Sequence, residues 1–301
     1  MNTMQEPPRV DIMLAVDGSQ HALAAAQMLC DLPLPPGSLV KALAVLVPRE
    51  ASNHAMLETA LQQTVDIFIG KNIDCDAELL TGYPAEALAD YADQFQPDLI
   101  ALGAKGLRAT LGILLGGVVQ QVVEYANWPA LVVREPYTGL KRILLITDGS
   151  VYSQRAMEYL AVFPLPDEVD LRVMHVLQPV ISPAMVARSW PVGSEAVSAV
   201  PSYETERMLS KQAELEEQDG LALLERMVSH LKAEGLQASS VQLRGDAATE
   251  IIDYVKTHHI DLIVAGSRGL SQMKRLLLGS LSRKLVHYAG CSVLIVKGGS
   301  V

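Results

Sequence analysis

The chain carries the same glycine pattern twice. Adding 163 to the residue numbers superimposes the first copy on the second, Gly103 on Gly266, Gly106 on Gly269 and Gly116 on Gly279. Near the amino end of each half the offset is 131, which carries Asp17 onto Asp148. The second half is therefore longer, by an insertion at about residues 178–206. A period of this length indicates two ordinary domains rather than a solenoid.

We predict domains at residues 1–137 and 141–301, with a linker near 135–139 where Pro and Gly interrupt the chain. In each half, short apolar runs typical of buried strands alternate with segments that have helical periodicity. This order predicts an α/β fold of two tandem, doubly wound, five-stranded parallel-sheet domains with helices on both faces. Ligands of such sheets bind beyond the carboxyl ends of the strands, where both glycine loops lie.

The second glycine loop has the chemistry of an anion site. Gly266 follows a strand-like apolar run, and a predicted helix begins at Gly279-Ser280. Glycines let the backbone approach phosphates, and a helix amino terminus presents free N–H groups to an anion. The spacing matches neither a Walker A motif nor the dinucleotide fingerprint.

The spacing, Gly-two residues-Gly-nine residues-Gly-Ser/Thr, resembles the ATP-binding signature of the universal stress protein family. The resemblance is to the tandem type and covers nearly the whole chain except about 178–203. It implies a Rossmann-like fold of the adenine nucleotide alpha-hydrolase type. It also implies an ATP site in each half.

In the second half, the resemblance assigns Asp148 to the ribose or the adenine edge and the backbone of Val176 to adenine. The loop glycines would face ribose and phosphate, and the following helix would offer N–H groups to the phosphates. The predicted strong site comprises Thr147, Asp148, Val176, Gly266, Arg268, Gly269, Gly279, Ser280 and Leu281. Lys274 and Arg275 add positive charge, although they could equally be a solvated loop face. Asp148 could also act as a helix N-cap.

The first half departs from the pattern at Gly117, where the family has Ser or Thr, and its spacer carries Arg108 as its only charge. A backbone cradle can still bind an anion. We therefore predict a weaker site at Asp17, Val45, Gly103, Gly106, Gly116 and Gly117.

Composition excludes several classes of partner. The net charge of −10 argues against binding to nucleic acid or to an anionic membrane. Neither a signal peptide nor a membrane span is expected from the sequence, and three cysteines without a Cys-x-x-Cys motif suggest reduced thiols in the cytoplasm. The histidines show no metal-ligand spacing, and no Gly-x-Ser-x-Gly elbow is present.

These observations predict an ATP-binding stress-response regulator, with Mg²⁺ or Mn²⁺ neutralising the phosphates and no efficient catalysis. A slow ATPase or autokinase and a scaffold with structural nucleotide remain as alternatives. We expect the two halves to form an intramolecular pseudo-dimer. In the family that the chain resembles, homodimers often pair the last strand of each sheet, here Ala130–Val133 and Ser292–Val296, so the resemblance implies pairing of these edges, within the chain or in a homodimer.

Overall fold

The computed structural model describes residues 9–106, 115–180, 203–269 and 278–297. Its ten strands are β1 Asp11–Ala15, β2 Leu39–Leu46, β3 Asp74–Thr81, β4 Leu99–Gly103, β5 Ala130–Val133, β6 Arg142–Thr147, β7 Asp170–Leu177, β8 Ala238–Arg244, β9 Leu262–Gly266 and β10 Ser292–Val296. The α-helices in the described residues are α1 Gln20–Cys30, α2 His54–Ile69, α3 Pro84–Phe95, α4 Gly117–Tyr125, α5 Val151–Val162, α6 Tyr203–Ala233, α7 Ala247–His258 and α8 Ser280–Tyr288. A 3-10 segment at Pro48–Asn53, which the sequence analysis did not predict, precedes α2.

Each half has the predicted doubly wound arrangement, and the Rossmann-like α/β fold is confirmed. The strand order is β3-β2-β1-β4-β5 in the first half and β8-β7-β6-β9-β10 in the second. All pairs within a half are parallel, and β4, β5, β9 and β10 are buried along most or all of their length because helices cover both faces. In each half, the first three strands are added in one direction and the fourth returns to the other side of the first, which opens a crevice beyond β1 and β4 and another beyond β6 and β9.

The strand registers support the two sequence offsets. Asp11 pairs with Leu39 in the first half, and Arg142 pairs with Asp170 in the second, each 131 residues later. Further along, the β4–β5 and β9–β10 pairs keep the same register at the offset of 163. Residues that correspond in sequence therefore occupy corresponding places in the two folds.

The two five-stranded sheets are joined into one. β5 and β10 pair antiparallel, with Leu131 opposite Leu294, so that ten strands form a continuous mixed sheet. The expected pairing of the last strands thus occurs within a single chain. Each face of this sheet carries one apolar cluster, and both clusters include residues from both halves. The joint is consequently part of the core.

Two cations, the half-buried Arg134 and the buried Lys297, connect the halves in a reciprocal way that sequence reasoning missed. Arg134, just after β5, donates from Nη2 to the carbonyl oxygens of Val286 and His287 at 2.8 and 3.2 Å. Lys297, at the corresponding place after β10, donates to the carbonyl oxygens of Val123 and Glu124. Each cation therefore binds the last turn of the other half's short helix, where the helix dipole is negative.

Lys297 makes the stability of this joint depend on pH. Burial, with repulsion from Arg268, lowers the pKa of Lys297 from 10.5 to about 8, while Glu124 opposes the shift. Because the folded state then releases this proton more readily than the unfolded state, the contribution of Lys297 to the free energy of unfolding rises as pH increases from about 8 to 10.5. We expect wild type to gain about 2 kcal/mol relative to Lys297→Met between about pH 7.5 and about pH 10.

Urea unfolding of the two proteins across this pH range measures the difference. Lys232→Met, which removes an exposed lysine, is the matched control and should show a flat difference. A flat difference for Lys297→Met as well would show that Lys297 is not held as a buried cation.

Candidate functional site

The crevice of the first half is a well-formed cleft. It has a volume of about 380 Å³ and lies at the carboxyl ends of β1, β2 and β4. All six residues predicted for the weaker site line it: Asp17, Val45, Gly103, Gly106, Gly116 and Gly117. Sequence reasoning missed its outer wall, which comes from the 3-10 segment and α2 and includes Glu50, Asn53 and Met56. These wall residues are far from the glycine motif in the sequence, so the motif did not indicate them.

The two Asp-Gly-Ser turns, at residues 17–19 and 148–150, have the same construction. The glycines have φ values of 78° and 77°, a left-handed conformation that favours glycine. In each turn the aspartate Oδ1 accepts the serine N–H at 3.0 Å. The N-caps of α1 and α5 are Ser19 and Ser150, so the suggestion that Asp148 is the N-cap was wrong. The serine hydroxyl takes that role because it reaches the N–H three residues ahead.

Hydroxyl groups surround the turn of the second half. Thr147 is buried, and its Oγ1 lies 3.2 Å from the Oγ of Ser153. Ser153 donates to the carbonyl oxygen of Ser150, and Ser282 donates from α8 to the carbonyl oxygen of Gly266 at 2.7 Å. These bonds tie α5 to the end of β6 and α8 to the end of β9.

The first glycine of each loop is required by packing. A Cβ on Gly266 would lie 2.5 Å from the carbonyl oxygen of Tyr152, and one on Gly103 would lie 2.5 Å from the backbone of Ala22. The loop therefore passes directly over the first turn of α5 or α1. A side chain here would push the strand end away from the helix, whatever the ligand.

The second glycine of each loop faces the aspartate of the neighbouring turn. A Cβ on Gly269 would lie 2.5 Å from Oδ2 of Asp148, and a Cβ on Gly106 would meet Oδ2 of Asp17 at the same distance. The predicted grouping of carboxylate and loop backbone therefore exists in both halves. A carboxylate in this position can accept hydrogen bonds from the hydroxyl groups of a sugar.

The third glycine of each loop lies directly before a short helix, and the amino terminus of that helix is part of the predicted site. Gly279 is the N-cap of α8 and supplies no side-chain cap, so the first N–H groups of Ser280 and Leu281 lack a partner within the helix. Ser280 is exposed there, whereas Leu281 is half-buried. Gly116 is the equivalent N-cap of α4, and a Cβ on Gly117 would meet nothing within 4 Å.

Arg268 and Val176 complete the predicted second site. Arg268 lies 5.6 Å from the centre of the Tyr152 ring and donates to its hydroxyl group at 3.3 Å. Val176 is half-buried near the end of β7, beside His175, whose Nδ1 lies 2.8 Å from the carbonyl oxygen of Thr147.

Some of the residues named in the sequence analysis lie outside the described residues: Arg108, Lys274, Arg275 and most of the insertion at 178–206.

The family of the chain is decided by comparison with known proteins. The model of the universal stress protein family matches residues 10–134 and again residues 139–297. The chain belongs to the universal stress protein family. Its tandem organisation, inferred from the glycine repeat, is that of two such units in one chain.

Other universal stress proteins resemble one half or the whole. Universal stress protein YxiE of Bacillus subtilis is 29% identical over 161 residues, which are 52% of this chain and 98% of that protein. A universal stress protein of Methanocaldococcus jannaschii is 26% identical over 166 residues, covering 55% of this chain and 87% of its own. The crystal structure of one from Archaeoglobus fulgidus superimposes with a TM-score of 0.66 over 98% of this chain and 100% of that one, at 19% identity, and so supports the fold alone.

The described part of this universal stress protein holds neither a cluster of metal ligands nor a membrane-spanning helix. In the described ranges, no three His, Cys, Asp or Glu side chains group as metal ligands. Within the same part of the chain, no helix is both long and apolar enough to cross a membrane.

Proposed function

We propose that this universal stress protein binds ATP in its second unit and acts as a nucleotide-dependent regulator in a stress response. The observation that carries the proposal is the open amino terminus of α8, with Ser280 exposed on it, next to Arg268 and the carboxylate of Asp148. A helix amino terminus and a guanidinium group suit phosphates, and a carboxylate suits ribose hydroxyls. Adenine would lie against Val176 at the end of β7.

A divalent cation would accompany the triphosphate. Mg²⁺ usually binds through phosphate oxygens, water and one or two carboxylates rather than through a protein cage. The described residues fit that mode, since Asp148 lies at the site and no group of three acidic or imidazole ligands occurs in them. Mg²⁺ or Mn²⁺ would neutralise phosphate charge.

We favour a regulator over an enzyme because the proposal assigns the carboxylate beside the loop, Asp148, to the ribose rather than to an attacking water. A slow ATPase or autokinase is the second candidate, and a scaffold with structural nucleotide is the third. A cytoplasmic location is part of the proposal, because Cys30, Cys75 and Cys291 are free thiols of the kind that reducing compartments preserve.

Mass spectrometry of nucleotide released from the freshly purified protein tests these alternatives. We expect intact ATP, in a ratio near one per chain. Release of ADP would favour an ATPase. Absence of any nucleotide, together with no heat of binding when ATP and Mg²⁺ are added, would contradict the proposal and favour the scaffold.

A further inference from the structure

The helix α8, whose amino terminus is part of the second site, is held by both units. Its amino end is fixed within the second unit. There the N–H of Gly279 donates to the carbonyl oxygen of Ser267 at 2.7 Å, and the hydroxyl of Ser282 binds the end of β9. Its last turn is held from the first unit, because Nη2 of Arg134 donates to two carbonyl oxygens there. The placement of α8 therefore depends on a side chain of the other unit.

The contacts of Arg134 set the direction of the α8 axis. A helix of nine residues is roughly 13 Å long, so its two ends tilt together as one rigid body. The hydrogen bonds at the amino end all lie within the N-cap and the first turn. Leu285 and Val286 pack into an apolar cluster, but apolar contacts are non-directional. The bonds from Arg134, at 2.8 and 3.2 Å, are directional and fix the far end.

Arg134 can hold this helix because its own backbone belongs to the joint. It directly follows β5, which pairs with β10, and its N–H donates to Oγ of Ser292 at 3.2 Å. Burial lowers the pKa of Arg134, yet a guanidinium group stays charged in proteins. A partly desolvated cation at the carboxyl end of a helix complements both the dipole and the carbonyl groups that lack partners within the helix.

The same construction occurs in the opposite direction. Lys297 directly follows Val296, whose carbonyl oxygen accepts the N–H of Ser267 in the second glycine loop. From there its side chain crosses the joint to the last turn of α4, whose N-cap is Gly116 of the first site. Each cation thus starts beside the glycine loop of its own unit and ends on the helix of the other unit's site.

We propose that Arg134 is a positioning residue for the phosphates of the second unit, supplied by the first unit. It holds α8 in the direction in which the N–H groups of Ser280 and Leu281 meet the phosphates. This role rests on the proposed function of the second unit. The affinity of the second unit for ATP then depends on the joint, and ATP in turn stabilises the joint, because coupling between two binding events is reciprocal.

Calorimetric titration of ATP and Mg²⁺ into the full chain, at a temperature where all variants are folded, tests this role. Arg134→Met removes both hydrogen bonds to α8 and should weaken ATP binding to the second unit about threefold to tenfold. Arg134→Lys keeps a cation, as Lys297 does for α4, and should restore most of the affinity. Arg142→Met is the matched control. Arg142 lines the same cavity at the joint, but it pairs with Asp261 at the amino end of β6, so ATP should bind as in wild type.

Hydrogen–deuterium exchange of the nucleotide-free proteins separates this role from the proposed function. Arg134→Met should speed exchange in α8 and leave α4 close to wild type. Unchanged ATP affinity in Arg134→Met would overturn the inference, and so would an equal loss in Arg142→Met, which indicates general destabilisation. If wild type binds no ATP, the proposed function fails, and unchanged exchange in α8 would then show that Arg134 does not hold the helix either. Should Arg134→Met not fold, Arg134→Gln takes its place in both measurements.

Discussion

Gly266→Ala is expected to lower the free energy of unfolding by about 3 kcal/mol, the upper end of what overpacking costs. The added Cβ would lie 2.5 Å from the carbonyl oxygen of Tyr152 and 3.0 Å from the N–H nitrogen of Ser153. Both are backbone atoms in the first turn of α5, so neither can swing aside as the end of a side chain could. Relief requires the whole end of β9 to move away from the helix.

Chemical denaturation of wild type and variant measures this loss. Gly290→Ala is the control, because a Cβ there meets nothing within 4 Å, and its stability should stay within about 1 kcal/mol of wild type. Equal stability of Gly266→Ala and wild type would contradict the packing role of the first loop glycine. The test also bears on ligand studies, since weaker binding in a Gly266 variant could follow from this distortion alone.

ATP is expected to bind the second unit at least ten times more tightly than the first. Ser280 can donate a hydrogen bond to a charged phosphate oxygen that Gly117 cannot, and such a bond contributes about 1.5–3 kcal/mol. Arg268, close to the N-cap of α8, adds positive charge in the second unit. Ser280→Gly should therefore weaken the strong site, and Gly117→Ser should strengthen the weak one.

The two substitutions are well suited to calorimetry because neither should disturb packing. Ser280 is exposed, and the space around Gly117 is open, so both exchanges fit the present backbone. Titration of ATP with Mg²⁺ into wild type and both variants measures the affinities and the number of sites. Two equal sites per chain that neither exchange alters would refute the asymmetry.

The sequence was enough to predict the strands and helices because each unit repeats the same local signals. Asp-Gly-Ser turns and buried apolar runs come from neighbouring residues, and the last strands lie at the predicted Ala130–Val133 and Ser292–Val296. The joint between β5 and β10 followed from the resemblance, since the local pattern of Ala130–Val133 does not specify its partner.

The contacts that escaped prediction depend on residues brought together by the fold. Lys297 meets the last turn of α4 only because β10 lies beside β5, and its charge gives no sign of that in the sequence. Glu50 lines the first cleft from a 3-10 segment with no periodic pattern. Ser282 is far from Gly266 in helical or strand periodicity, and its hydrogen bond to the end of β9 forms only when α8 packs against that strand.

The location of bound ATP tests the central claim most directly. Irradiation of the protein with an analogue of ATP that carries a photoreactive azide on adenine, followed by peptide mapping, identifies the residues next to the base. The account predicts labelling at the ends of β6 and β7, near Asp148 and Val176, which excess ATP prevents and which Ser280→Gly reduces. Labelling that is confined to other parts of the chain, or that excess ATP leaves unchanged, would contradict it.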